Sequence, residues 1–386
     1  MINVLYIINH AEKLGGAEIN LLQIIKHIDR TCFKPILLVY KEGLLSQQAQ
    51  SLNTQVIVMP FCYLRRTINP FLFMEHLFKL AVIVLKLIRV FNKYKINIVH
   101  VHDVNSAIFA GFAAKIKKVK FIWHIHTLIS NLGLIGNIMF SLADKIIFVS
   151  EFQRKKASQN AWKKYYFKTK VIYNGIDFLH LDRLKTAPTL KNELAIPKDT
   201  IIIGAAGRIT IGKCYEDIIE AAKIVLDKYN NVEFIIVGDV THFDLKSVRR
   251  DEKYLEQLHL KVKNLNIDKK VKFVGFRKDI LQVLKMLDIF IFPSVVDSFG
   301  RVIIEAMGCK TAVIAANFGA VSEIIKNDDS GIIVPAQAPK ALGQAILNLL
   351  EDKQKLDFLI NNAYREVHRR FNSRNLLSEI FALYEN

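Results

Sequence analysis

Only four cysteines occur in 386 residues, Cys32, Cys62, Cys214 and Cys309, and neighbours lie at least 30 positions apart. That excludes a CxxC pair and a dense disulfide framework, and points to a reducing, cytoplasmic setting. The opening stretch Met1–His10 lacks a basic flank and a small-residue cleavage site, so no secretory signal is expected. Several nucleotide and metal signatures are missing as well. There is no GxGxxG, which disfavours a dinucleotide fold, no HExxH, and no DxD. The run Gly207-Arg208-Ile209-Thr210-Ile211-Gly212-Lys213 stops short of a P-loop, because Cys214 stands where a magnesium-binding hydroxyl is needed. Acidic residues are scarce in the first half. Residues 1–185 carry 26 Lys and Arg against 10 Asp and Glu, a net +16, whereas 28 face 26 in residues 186–386. The first half is therefore expected to meet an anionic partner: nucleic acid, an anionic membrane surface or a phosphate-bearing acceptor. Charge alone does not choose among them.

What the chain has in quantity is apolar surface. Hydrophobic residues make up 51% and charged ones 23%, enough for large cores and too little polarity for global disorder. Short Ile- and Val-rich runs alternate with helical patterns. Asn3–Ile8, Ile36–Tyr40, Gln55–Met59, Ile98–His102, Phe121–His126, Lys145–Val149 and Val171–Tyr173 predict seven buried parallel strands. Ile201–Ala205, Glu233–Val237, Val271–Val274, Ile289–Phe292, Ala312–Ala315 and Gly331–Val334 predict six more. The polar, proline-interrupted stretch Asp177–Thr200 separates the two sets. The fold class is α/β, two doubly wound Rossmann-like domains with a boundary near Ala187: residues 1–186 and 187–386, the last helix being free to pack back on the first domain. Ligands of such sheets bind beyond the carboxyl ends of the strands, so the domains are expected to face each other across a cleft that holds the chemistry.

Phe71–Phe91 is the most apolar stretch, yet Glu75, His76, Lys79, Lys86 and Arg89 interrupt it, which makes it a poor bilayer-spanning helix. With Arg65, Arg66, Lys93 and Lys95 on its flanks, it fits either a deeply packed helix or an interfacial amphipathic one.

Three motifs sit where strands end and helices begin. Gly15 and Gly16 open a helix whose apolar face runs through Leu21, Leu22, Ile25 and Ile28. Glycine permits close backbone approach and a helix N-terminus offers N–H groups to a phosphate; a plain tight turn is the other account. Arg208 and Lys213 follow the strand Ile201–Ala205, where two cations would neutralise the charge growing on a departing diphosphate. Beyond Ile289–Phe292 come Asp297, then Phe299, Gly300 and Arg301 at a helix start, then Glu305. Two carboxylates at the ends of an anion site suit a hydroxyl-rich ligand. Glu305 lies among Ile303, Ile304, Ala306 and Met307, where an unpaired carboxylate would be costly.

Taken in order, GGAE, VIYNGID, GRITIGKCYEDIIEA, VGD, VKFVGF and DSFGRVIIEAMGCKTAVIAANFGAVSEII resemble the family 4 glycosyltransferases, retaining sugar transferases of the GT-B fold, over nearly the whole chain. The resemblance implies that Arg208 and Lys213 hold the donor diphosphate and Glu305 the ribose hydroxyls. It implies that backbone groups near Phe299, Gly300 and Arg301 touch phosphates, and that Gly15 and Gly16 approach the donor from the other domain. Gly275 and Phe276 match the nucleobase contact region. His126 matches the histidine beside the transferred sugar, where an imidazole donates to a hydroxyl or meets developing charge. His100, His102 and His124 are then core or rim residues, and no metal set is expected. Asp297 stands where the family usually has the longer glutamate, and Cys214 and Val240 replace frequent glycines.

The activity implied is retaining transfer of a sugar from a UDP- or GDP-sugar substrate to a glycan or lipid-linked acceptor, as in bacterial surface polysaccharide synthesis, without metal or other cofactor. Arg208, Lys213, Asp297 and His126 are the expected catalytic groups. The basic first domain would take the acceptor at the inner face of the plasma membrane, with no nucleic acid involved. A nucleotide-sugar epimerase of the same fold stays open as an alternative. A basic nucleic-acid binder, suggested by Tyr165, Tyr166 and Phe167 among lysines, is the second.

Overall fold

The computed structural model describes residues 1–9, 14–61, 69–129, 133–157, 163–184, 188–240 and 245–385. Ala187, where the sequence puts the domain boundary, lies outside the described residues, as do Arg65 and Arg66. The chain divides into two units, Met1–Asn174 together with Ser373–Asn386, and Gly175–Asn372.

The first unit is built on seven parallel strands: β1 (Ile2–Ile8), β2 (Phe33–Val39), β3 (Gln55–Val58), β4 (Ile98–Val101), β5 (Lys120–Ile125), β6 (Lys145–Phe148) and β7 (Thr169–Val171). They lie in the order β3-β2-β1-β4-β5-β6-β7. β1 has β2 on one side and β4 on the other, Ile7 pairing with both Leu38 and Val101. The winding direction reverses there, the place where such sheets leave room for ligands. Asn9 N donates to Asp103 Oδ2 at 3.0 Å across the reversal, and the other Asp103 oxygen caps the next helix through Ser106 N at 2.8 Å.

Strand periodicity sorts the apolar residues onto two faces. Val4, Tyr6 and Ile8 meet α1 (Gly16–His27) through Leu21, Ile24 and Ile25, and the closing helix Ser373–Glu385 through Leu376, Ile380 and Tyr384. Leu5 and Ile7 face the other way, toward α2 (Pro70–Tyr94), whose Ile83, Val84, Leu87 and Phe91 are buried. Each fully buried side chain of this size contributes about 1.5–3 kcal/mol, which is why runs without polar interruption become interior strands.

The second unit repeats the scheme with β8 (Ile201–Ala206), β9 (Val232–Val237), β10 (Val271–Phe273), β11 (Ile289–Phe292), β12 (Ala312–Ala316) and β13 (Ile332–Val334), ordered β10-β9-β8-β11-β12-β13. α3 (Tyr215–Leu226) lays Ile218, Ile219, Ala222 and Val225 on Ile203, Ala205, Phe234 and Ile236. α4 (Arg301–Gly308) starts from Gly300 at φ +84°, where a Cβ would press on Ile303 Cδ1 at 2.9 Å and Phe292 Cζ at 3.1 Å. All thirteen expected strands are present. The ends moved most at β2, which begins at Phe33 ahead of Pro35, and at β7, which begins at Thr169.

Candidate functional site

In the second unit β8 and β11 are neighbours at the reversal, with Ile289 paired to Ile203 and Phe290 to Gly204. The loops leaving their carboxyl ends carry most of the expected site. Backbone crossings fix the course of these loops. Gly207 N donates to Val237 O and Gly238 N to Gly275 O, each at 2.9 Å. At Gly238, φ +148°, a Cβ would stand 1.8 Å from Gly207 O, so no side chain fits. Val295 N donates to Gly212 O at 2.8 Å, and a Cβ on Gly212 would overlap Val296 Cγ1 at 2.4 Å. The loops after β8 and β11 are thereby pinned together. Cys214, left-handed at φ +52°, ends the first loop, and Tyr215 at the head of α3 returns its hydroxyl to Gly207 O at 2.9 Å.

Charge at this junction comes as pairs. Lys213 Nζ donates to Asp297 Oδ2 at 2.6 Å and lies 5.5 Å from the centre of the Phe292 ring. The lysine side chain is 12% exposed and the aspartate 29%, so the carboxylate is the more open member. Burial by itself would raise the Asp297 carboxyl; the Lys213 charge and hydrogen bond, a hydrogen bond from Ser294 and the field of Arg208 outweigh it and hold the group below its ordinary range. Arg208 is exposed. One turn along α4, Arg301 Nε donates to Glu305 Oε1 at 2.7 Å, with both side chains only 10% exposed. The sequence places two carboxylates around an anion site; the structure gives each of them its own cation.

The remaining candidates sort by what they can present. Phe299 is buried against Phe371, ring centres 5.9 Å apart, which leaves its backbone as the part able to meet a ligand. Gly275, φ +67°, has open space at its missing side chain, and Phe276 beside it is 44% exposed. Arg277 is already tied to Asp279 at 2.8 Å and Glu193 at 2.7 Å. Sequence reasoning missed Ser294, Tyr215 and Gly238 as positioning residues. Only the VGD motif carried a signal, since a glycine directly after a strand suggests a close backbone approach.

Gly15, Gly16 and His126 belong to the first unit. Gly15 and Gly16 are exposed at the start of α1, and Gly15 N donates to Glu18 Oε2 at 2.9 Å, so a buried carboxylate of α1 serves the amide that opens it. His126 Nε2 lies 3.0 Å from His102 Nδ1, the two rings stacked. His100 Nδ1 lies 2.7 Å from the Tyr384 hydroxyl, which in turn donates to the Tyr6 hydroxyl at 3.1 Å. His100, His102 and His124 are core residues, and burial first, the neighbouring imidazoles second, hold all three far below the ordinary histidine range and so neutral. Their ligand nitrogens lie within 4.8 Å of one another, a grouping able to hold a metal ion that no metal-binding spacing in the sequence announced.

A Glycosyltransferase Family 4 model matches residues 14–178, and a Glycosyl transferases group 1 model matches residues 186–366. The chain belongs to glycosyltransferase family 4. An uncharacterized glycosyltransferase of Methanocaldococcus jannaschii is 30% identical to the family 4 chain over 223 residues, 56% of this chain and 54% of the relative. The UDP-Gal:alpha-D-GlcNAc-diphosphoundecaprenol alpha-1,3-galactosyltransferase of Escherichia coli is 24% identical, with 78% of each protein covered. The family 4 chain spans about half the length of the first curated relatives it matches. HepE of Anabaena, solved in complex with UDP-glucose, covers all of both chains at 24% identity and a TM-score of 0.82, and gives the fold as GT-B.

Proposed function

We propose that the chain transfers a sugar, with retention, from a nucleotide-diphosphate sugar to a lipid-linked or free glycan acceptor in polysaccharide synthesis, at the inner face of the membrane. The observation that carries this is the Lys213–Asp297 pair beside Arg208, at the reversal of the second sheet. An ammonium has three N–H donors, so Lys213 can keep Asp297 and still meet a phosphate oxygen. Arg208, Lys213 and the N–H groups opening α4 at Gly300 and Arg301 then meet the charge that grows on the leaving diphosphate, the role a divalent ion fills elsewhere. Glu305, oriented by Arg301, accepts from the ribose hydroxyls, and the more open Asp297 carboxylate faces the donor sugar. Gly275 and Phe276 meet the base. The name of the Escherichia coli relative, with UDP-galactose as donor and a diphosphoundecaprenol-linked acceptor, supports the acceptor class, as does the +16 of the first half.

The test is a screen of UDP-, GDP- and ADP-sugars for thermal stabilisation, where a donor at 100 times its dissociation constant adds about 2.7 kcal/mol. Hydrolysis or transfer from the stabilising donor is then measured in Arg208→Ala, Lys213→Ala and Glu305→Ala, with and without a chelator. Unchanged turnover in all three removes the site. An epimer formed without acceptor turns the reading to the epimerase.

A further inference from the structure

α2 is held along one side and at one end. Ile83, Val84, Leu87 and Phe91 are buried in the first unit, while the half before Ile83 is largely open to solvent. Asn69 caps this open half, its Oδ1 accepting from Phe71 N at 2.9 Å. Phe71 is 86% exposed, Met74 64%, Phe78 72% and Leu85 57%, a concentration of large apolar side chains in water that a surface rarely carries without use. With Ala81 they follow one another at spacings of three and four, which makes a single stripe about 20 Å long. Lys79, Lys86, Arg89 and Lys93 form a second stripe alongside, at spacings of seven, three and four, with Glu75 paired to Lys79.

An apolar stripe bordered by a cationic one is the arrangement of a helix lying in the plane of a bilayer surface, rings among the upper acyl chains and ammonium groups among the headgroups. Among the described residues no helix is long and apolar enough to cross a membrane. A second copy meeting this face through its own α2 would have to bring acids to the cationic stripe, and α2 holds one acid, Glu75, against four cations. We propose that α2 docks the chain on an anionic bilayer, Phe71, Met74, Phe78 and Leu85 entering the acyl boundary and Lys86, Arg89 and Lys93 meeting phosphate headgroups. This gives the membrane location proposed above a docking element. It stands on the exposed face of α2, and the donor chemistry of the second unit can fail without it.

Flotation of the full chain with vesicles of phosphatidylcholine, and of equimolar phosphatidylcholine and phosphatidylglycerol, tests it. Binding is expected to the anionic vesicles only, weakening as salt is raised. Phe71→Ser with Phe78→Ser should lose roughly tenfold or more in vesicle affinity. Lys86→Glu, Arg89→Glu and Lys93→Glu together should lose on the order of a hundredfold. Both variants should keep the wild-type fluorescence melting of Trp123, buried in the first unit, and the same stabilisation by a nucleotide-diphosphate sugar. Equal binding to both vesicle types, binding unmoved in either variant, or no binding, with or without a concentration-dependent dimer, overturns the proposal.

Discussion

The two units share a winding scheme and handle polar groups in opposite ways. The first draws four histidines and two tyrosines into its sheet and its closing helix, three of the histidines neutral, and leaves its cations outside. The second keeps its ions in contact, Lys213 with Asp297 and Arg301 with Glu305, where loops leave the sheet. A buried imidazole escapes the cost of burial by staying neutral, whereas a carboxylate kept charged away from water needs a cation beside it. The first unit thus hides neutral polar groups and keeps its charge at the surface, and the second holds charge as ion pairs where its loops leave the sheet.

The largest effect expected from a single change is at the backbone crossing that shapes the loops of the second unit. Gly238→Ala puts a carbon 1.8 Å from Gly207 O, so the loops after β8 and β9 must separate, and more than about 4 kcal/mol should be lost. Gly275→Ala, also at positive φ but with open space, should cost only the backbone strain, about 1–2 kcal/mol. Both tryptophans, Trp123 and Trp162, precede residue 175, so tryptophan fluorescence follows the first unit alone. Gly238→Ala should abolish donor binding while that signal still melts cooperatively; a second-unit transition found by calorimetry at the same temperature in both glycine variants would mean that the crossing is not what fixes the loop.

Next comes the buried pair. Glu305→Ala leaves the Arg301 guanidinium, 10% exposed, without its carboxylate, and about 3–5 kcal/mol should be lost from the second unit. The matching change in the first unit should do almost nothing to stability: both His124 ring nitrogens are buried without a hydrogen-bond partner among the described residues, so His124→Phe should stay within about 1 kcal/mol of wild type. Calorimetry on the two variants decides whether polar burial really differs between the units.

The sequence made the strands legible because parallel strands buried on both faces are written as unbroken Ile and Val runs, as in β1 and β11. It made the site loops legible because Arg208, Lys213, Asp297 and Glu305 follow strand ends directly. Pairing was less legible. Arg301 and Glu305 are four apart on one helix and can be matched by eye, but Lys213 and Asp297 are 84 apart, and His100 and Tyr384 are 284 apart. Those contacts depend on which strands become neighbours, which local periodicity does not encode. α2 was ambiguous for a physical reason: one half packs and the other does not, while both are equally apolar.

Mild acid should separate the units by sign. His100, His102 and His124 are held far below the ordinary value near 6.5, so in this range the unfolded chain binds more protons than the folded one. Their contribution is complete above about pH 7 and is lost as pH falls through 6.5, by about 1 kcal/mol for each histidine at pH 6. In the second unit burial, with Glu216 and Glu220 adding to it, pushes the Asp217 carboxyl up to about 6, so the folded unit takes its proton first and gains as pH falls through that value. Asp217 is buried at the head of α3, and the difference from its ordinary value is worth about 1 kcal/mol between pH 7 and pH 5. Asp297, held below its ordinary range, contributes fully above about pH 5 and loses that contribution only as pH falls through the ordinary carboxylate value near 4, outside this range. Between pH 7 and pH 5 the tryptophan-detected transition should therefore move to lower temperature while donor-stabilised melting of the second unit holds or rises slightly; a parallel fall of both would show that the buried imidazoles are not the acid-sensitive groups.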